Sequence, residues 1–287
     1  MSLRHAEYRL ASWLSRRLPA AAAFGLAERL ADIQWRSAAR ERAIVQANLS
    51  VIAGSRPAEQ ATLAREVFRN FGRYVVEFFN AHRVAHPKVE VEGYEHLLSA
   101  QRARRGVIAL TGHLGNWELC GVLIQRMGFP VSVVALPHQD PRMDRLFNRQ
   151  RERCGLKIIP LGSGAAHRSL QCLRDGELLG VLGDWEFNGT GLAISLCDRQ
   201  VMLPRGPATL SLRGRSPIVP TFLIREGMWK FRLCFEPPIW PERPVRGGAS
   251  MESSVRSLCQ RFAHVLERYL QRFPAQWLIF QPLTRTA

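Results

Sequence analysis

Residues 107–121 read VIALTGHLGNWELCG. Four apolar residues lead into Thr-Gly-His-Leu-Gly-Asn, and a stretch with helical spacing follows. A short apolar run bounded by turn residues is the pattern of a buried strand. The segment therefore predicts strand, turn and helix, with His113 just past the C-terminal end of the strand. Open α/β sheets bind ligands at that edge, and the first turn of the next helix brings unpaired N–H groups to the same place. A histidine works as a base near neutral pH when a second group fixes its tautomer and orientation, most often a carboxylate on the other ring nitrogen. Glu118 is the candidate inside the segment. Five residues on a regular helix turn through about 140°, so the two side chains meet only if His113 lies before the helix and folds back. Gly112 and Gly115 permit such a turn. The competing reading is a capped helix with a surface histidine. A dinucleotide loop is weaker, because G-x-G-x-x-G is absent and no acidic residue ends the next strand.

Outward from this segment, strands and helices alternate. PVSVVAL (130–136), LKIIPL (156–161), LLGVLGD (178–184) and PIVPTFLI (217–224) read as short apolar strands separated by helical stretches and one loop. WKFRLCF (229–235) after PIVPTFLI suggests an antiparallel hairpin on one edge, and residues 253–273 a long amphipathic closing helix. This is the pattern of a mixed, largely parallel sheet covered by helices. Upstream the texture differs. Residues 1 to about 85 have few glycines and repeated apolar pairs at helical spacing, with Pro57 opening a helix after the IAGSR turn; KVEVEG (88–93) is the first strand-like alternation. The expected division is a helical, membrane-interface extension over 1–88 and an α/β domain over 89–287.

Composition narrows the partners. The chain has 287 residues with Lys+Arg 40 against Asp+Glu 24, a net charge of +16 and a pI near 10.9. Only Lys88, Lys157 and Lys230 are lysines, so the excess is arginine, whose weakly hydrated fork suits phosphate and carboxylate. Nucleic acid, anionic lipid, an acidic carrier protein and a phosphorylated substrate all match that charge. The six cysteines come no closer than Cys154 and Cys172, so no zinc spacing exists, and free thiols in a reducing compartment are expected. The histidines show no metal spacing; His138, after a strand, is the other one expected near the site. The N-terminal stretch never reaches the roughly eighteen apolar residues of a spanning helix. Residues 18–35 are amphipathic, with Phe24 and Trp35 among Arg16, Arg17, Arg29 and Arg36. They suit either a membrane interface or packing on the chain's own domain.

HLGNWE resembles the His-x-x-x-x-acid signature of glycerolipid-type acyltransferases. In this form it is similar to the bacterial lipid A late (lauroyl/myristoyl) acyltransferase family and its relative, phosphatidylinositol mannoside acyltransferase. ARERAIVQANLSVI, FNRQRERCGLKIIP, LRDGELLGVLGDWEFNGTG, MLPRGPATLSLRGRSPIVPTFLIR and FPAQW resemble further blocks of that family, in its order. The resemblance implies direct transfer of a fatty acyl group from a thioester, on acyl carrier protein or coenzyme A, to a hydroxyl of a glycolipid such as a lipid A precursor. No cofactor or metal is implied. His113 would deprotonate the hydroxyl and Glu118 would polarise the imidazole. Arg151 or Arg153 would stabilise the oxyanion or bind acceptor phosphate, with Arg149 a third choice. Asn116 would stand at the substrate, and Asp184 and Glu186 occupy the family's acidic-pair position, where Glu186 would orient the acceptor or assist His113. AISLCDRQ (193–200) departs from the family's Phe-Phe-Gly strand end and leaves acceptor and chain-length preference open. Gly162-Ser163-Gly164 lacks the G-x-S-x-G of a nucleophile elbow, in keeping with direct transfer. The implied setting is peripheral attachment to an anionic membrane, at the cytoplasmic face of the inner membrane. The alternatives are a mannoside-type or lysolipid acyltransferase using acyl-CoA, or a non-catalytic basic protein on membrane or nucleic acid. Nucleic acid is disfavoured because no reader motif or aromatic stacking accompanies the charge.

Overall fold

Four helices come first in the computed structural model, which describes residues 3–52, 57–82, 87–242 and 250–283. They are α1 (Leu3–Arg17), α2 (Ala20–Ser37), α3 (Ala39–Ile52) and α4 (Pro57–Asn80). Most of the IAGSR turn, and His86, lie outside the described residues. Strands and helices then alternate: β1 (Lys88–Glu92), α5 (Tyr94–Gln101), β2 (Val107–Thr111), α6 (Trp117–Arg126), β3 (Val131–Ala135), α7 (Pro141–Arg153), β4 (Lys157–Pro160), α8 (Ala165–Arg174) and β5 (Leu178–Leu182). A hairpin of β6 (Leu192–Leu196) and β7 (Arg199–Leu203) leads to α9 (Gly206–Gly214), β8 (Ile218–Gly227), β9 (Lys230–Phe235) and α10 (Met251–Arg272). A 3₁₀ turn over Pro274–Gln276 follows.

Seven strands make one sheet in the order β1-β9-β8-β2-β5-β3-β4. All its pairings are parallel except β8 with β9, as the sequence pattern predicts. The expected hairpin on the edge is corrected in one respect: β1 pairs outside β9, so β1 is the edge. The stretch expected as a loop after LLGVLGD contains the separate β6–β7 hairpin. Its two-residue turn, Cys197-Asp198, holds both residues at positive φ, and Gln260 of α10 bonds Ser195 from both ends of its amide. That primed-turn geometry matches strand twist.

Caps fit the sequence. Asp140 accepts from the Arg142 N–H, with Pro141 opening α7, and Ser250 accepts from the Ser253 N–H at the head of α10. The helical region is not a separate body. Val45, Leu49, Phe68 and Phe79 of α3 and α4 share one buried core with Ile108, Phe222 and Phe262, and burying a Phe of this kind contributes roughly 2–3 kcal/mol. Phe24 meets Trp229 edge-on and Trp35 meets Phe68. These two aromatics of the amphipathic stretch therefore pack on their own domain. Leu30 and Ile33 of the same stretch remain exposed, as do Leu10 and Trp13 of α1.

Candidate active site

Strand register builds the site. β2 and β5 are parallel neighbours with Thr111 opposite Leu182. His113 and Asp184 each stand two residues further along, so they arrive side by side at the C-terminal edge of the sheet. Gly112 makes room between them, since a Cβ there would come within 2.8 Å of the Asp184 Oδ2. The His113 Nδ1 lies 2.9 Å from Asp184 Oδ1, the His113 main-chain N–H donates to Oδ2 at 2.7 Å, and the Trp277 indole N–H donates to the same oxygen at 2.9 Å. Asp184 is fully buried. Burial alone would raise its carboxyl, but the His113 charge, the bonds from His113 and the Trp277 indole outweigh that and hold it below the usual carboxylate range. An ionised carboxylate only accepts, so it fixes the proton on Nδ1 and leaves the lone pair on Nε2. No described group bonds Nε2, and the His113 side chain keeps 23% of its surface in solvent.

The loop that carries His113 is held from both sides. Gly115 sits at φ +64°, where a Cβ would fall 1.9 Å from the Leu223 carbonyl oxygen. Its N–H donates to Gln276 O, Asn116 N–H donates to Leu223 O, and Leu278 N–H donates to His113 O. Trp117 opens α6 with its ring edge-on to His113 and stacked 4.5 Å from Tyr74. His113 therefore lies before the helix, as the five-residue spacing requires.

Glu118 does not hold the imidazole, and here the sequence expectation is corrected. On the first turn of α6 its carboxylate meets α7 instead. Arg151 Nε donates to Oε2 at 3.0 Å and Nη2 to Oε1 at 2.5 Å, with both side chains nearly buried. Desolvation opposes the Arg151 charge, yet the Glu118 carboxylate outweighs it and raises the guanidinium pKa. The pair clamps α7 to α6 beside the histidine.

The other expected site residues separate by position. Arg149 and Arg153 lie about 40° apart around α7, while Arg151 lies about 200° from Arg149. Accordingly Arg151 turns toward Glu118 of α6, and Arg149 and Arg153 are exposed on the opposite face against α1. Asn116 is fully buried. Its Oδ1 caps α6 by accepting from Leu119 N–H at 2.9 Å, and its Nδ2 donates to Glu77 Oε2 at 2.7 Å. Glu186 accepts from the main-chain N–H groups of Asn188 and Gly189 and shapes its own loop. Of the acidic pair, the carboxylate that bonds His113 is Asp184. His138 places its ring 4.8 Å from Phe147 of α7, whose own ring lies near the Arg151 guanidinium.

Four supporting residues lie outside the sequence-based expectations. Trp277 and Gln276 belong to FPAQW, a motif noted without a role. Glu77 and Arg225 form a buried ion pair with Nε–Oε1 and Nη2–Oε2 distances of 2.6 Å, and Arg225 Nη1 also donates to Asn70. Their local signal is slight: Glu77 is a lone charge inside the apolar run YVVEFF, and Arg225 ends the apolar run TFLI.

The family model for bacterial lipid A biosynthesis acyltransferase matches residues 6–286. The chain is 27% identical to the phosphatidylinositol mannoside acyltransferase of Mycolicibacterium smegmatis, over 95% of this chain and 88% of that protein. The enzyme of the same name from Mycobacterium tuberculosis is 25% identical over 74% of this chain and 67% of its own length. The lipid A biosynthesis palmitoleoyltransferase of Escherichia coli is 24% identical over 93% and 86%.

Proposed function

The chain belongs to the bacterial lipid A biosynthesis acyltransferase family, and on that premise we propose that His113 and Asp184 drive direct transfer of a fatty acyl group from a thioester to a glycolipid hydroxyl. The chain is an acyltransferase of the glycolipid class by its family and relatives. The observation that carries the mechanism is the His113–Asp184 pair, with Nδ1 engaged, Nε2 without a bonding partner among the described residues, and the side chain partly exposed. Nε2 takes the proton of the acceptor hydroxyl as its oxygen attacks the thioester carbonyl. The tetrahedral adduct collapses, the C–S bond breaks, and the proton passes from the imidazolium to the departing thiolate. Asp184 stays ionised throughout and balances the imidazolium. Glu118 and Arg151 act one layer out, as positioning residues that fix α6 and α7 around the histidine. The protein supplies no nucleophile of its own, and the scheme draws on no cofactor.

The donor is a thioester of acyl carrier protein or coenzyme A; both are anionic and suit a chain of net charge +16. The acceptor is a glycolipid of the lipid A or inositol mannoside kind, the two kinds that the relatives' names carry. The chain works at the cytoplasmic face of the inner membrane and attaches peripherally, a setting that its basic charge suits. Among the described residues no helix is long and apolar enough to cross a membrane.

The test is reconstitution. The purified chain is incubated with palmitoyl-CoA or palmitoyl-acyl carrier protein and with a lipid A precursor or a phosphatidylinositol mannoside, and products are weighed by mass spectrometry. One acceptor gains an acyl mass, and His113→Ala loses it. Transfer at the wild-type rate by His113→Ala refutes the mechanism.

A further inference from the structure

Away from His113, α1 and α7 enclose an open groove of about 650 Å³ whose lining includes Arg9, Trp13, Arg16, Arg17, Arg149 and Arg153. No carboxylate lines it. Among the described residues, Arg9, Arg17, Arg149 and Arg153 make no ion pair; Arg17 rests 5.9 Å from the Trp13 ring. Five guanidinium groups around one groove repel one another, and an anion in the groove relieves that repulsion. On the same helix, Leu10 and Trp13 each leave 56% of their surface exposed.

These two features select the anion. A soluble phosphate would satisfy the arginines and leave Leu10 and Trp13 in water. A bilayer surface serves both, because basic side chains with an adjoining Trp and Leu are what an interfacial helix presents. We propose that the α1–α7 groove is a docking surface for the phosphates of anionic lipid headgroups, with Leu10 and Trp13 entering the headgroup layer beside them. The inference rests on the membrane-surface reading above and locates that surface. It also links docking to the site, since α7 carries Arg149 and Arg153 on the lipid face and Arg151, locked to Glu118, on the other.

The experiment is co-sedimentation of the full chain with vesicles of phosphatidylglycerol in phosphatidylcholine, against phosphatidylcholine alone. Each arginine near an anionic surface contributes roughly fivefold to partitioning, so Arg149→Ala/Arg153→Ala and Arg9→Ala/Arg17→Ala should each weaken binding about thirtyfold. Wild-type binding should fall with added salt. Trp13→Ala should weaken binding to the charged vesicles as well. Transfer to a detergent-dispersed acceptor should survive in Arg9→Ala/Arg17→Ala. A loss under about threefold in both double variants, with the wild type bound, overturns the groove and leaves the reaction standing. Release of the chain from vesicles by free coenzyme A, with a raised KM for acyl-CoA in the variants, assigns the groove to the donor and likewise overturns it. Arginine-dependent vesicle binding by a chain that acylates no glycolipid supports the groove and sinks the proposed reaction.

Discussion

Asp184→Asn is the sharpest perturbation of the dyad, because it keeps the volume and removes the charge. The carboxylate accepts three bonds: two at Oδ2, from His113 N–H and the Trp277 indole, and one at Oδ1, opposite His113 Nδ1. An asparagine has one accepting oxygen. The two buried donors at Oδ2 claim it, so the NH₂ group faces Nδ1. A donor there forces the other tautomer, with the proton on Nε2, and the base loses its lone pair. A triad aspartate changed to asparagine in a serine protease costs about 10⁴ in kcat by this route, or about 5.5 kcal/mol of barrier. The same loss is expected here, with little change in fold. Glu118→Gln is the control. It leaves Arg151 with a neutral partner in a nearly buried position, so it should lower stability by about 3 kcal/mol and kcat by less than about tenfold. Steady-state transfer assays and urea titrations on both variants decide the matter. If Asp184→Asn retains kcat within tenfold, or Glu118→Gln is the worse of the two, the assignment of Asp184 as the orienting carboxylate is wrong.

Gly115→Ala should lose roughly 2–4 kcal/mol and most activity, because its Cβ meets the Leu223 carbonyl at positive φ. Gly25→Ala, in the middle of α2 with nothing within 4 Å, should instead stabilise by about 0.5–1 kcal/mol; denaturant midpoints test both. Glu77→Gln removes the charge that pairs buried Arg225 and should cost about 3–5 kcal/mol in urea titrations. The last prediction concerns acid. The Asp184 carboxyl is held below its ordinary value in the folded chain, so its stabilising contribution is complete above about pH 4 and is lost as pH falls through the folded-state value. Wild-type stability should fall more steeply below about pH 4 than that of Asp184→Asn, and parallel profiles would contradict the assignment.

The fold was legible where signals are local. VIAL ends in a Thr-Gly turn, α7 follows an Asp-Pro start, and the alternation of such units dictates a mostly parallel sheet. The β6–β7 hairpin was missed because its turn, Cys197-Asp198, uses neither Asn-Gly nor any glycine, so residues 192–203 carry no punctuation. At the site, the position of His113 before α6 followed from spacing. Its partner did not, because Asp184 reaches it through the pairing of β2 with β5, a contact 71 residues away that no local period encodes. The arginines of α7 are the intermediate case. The four-residue step from Arg149 to Arg153 already separates them from Arg151, once the helix is known to face the site with one side only.

The His113 loop is closed by Gln276, Trp277 and Leu278, which follow every sheet strand and every α-helix among the described residues. Synthesis runs from the N-terminus, and early segments fold as they emerge. A growing chain therefore holds its histidine and aspartate long before it can set them, and a product cut ahead of Pro274 has the reacting groups without their brace.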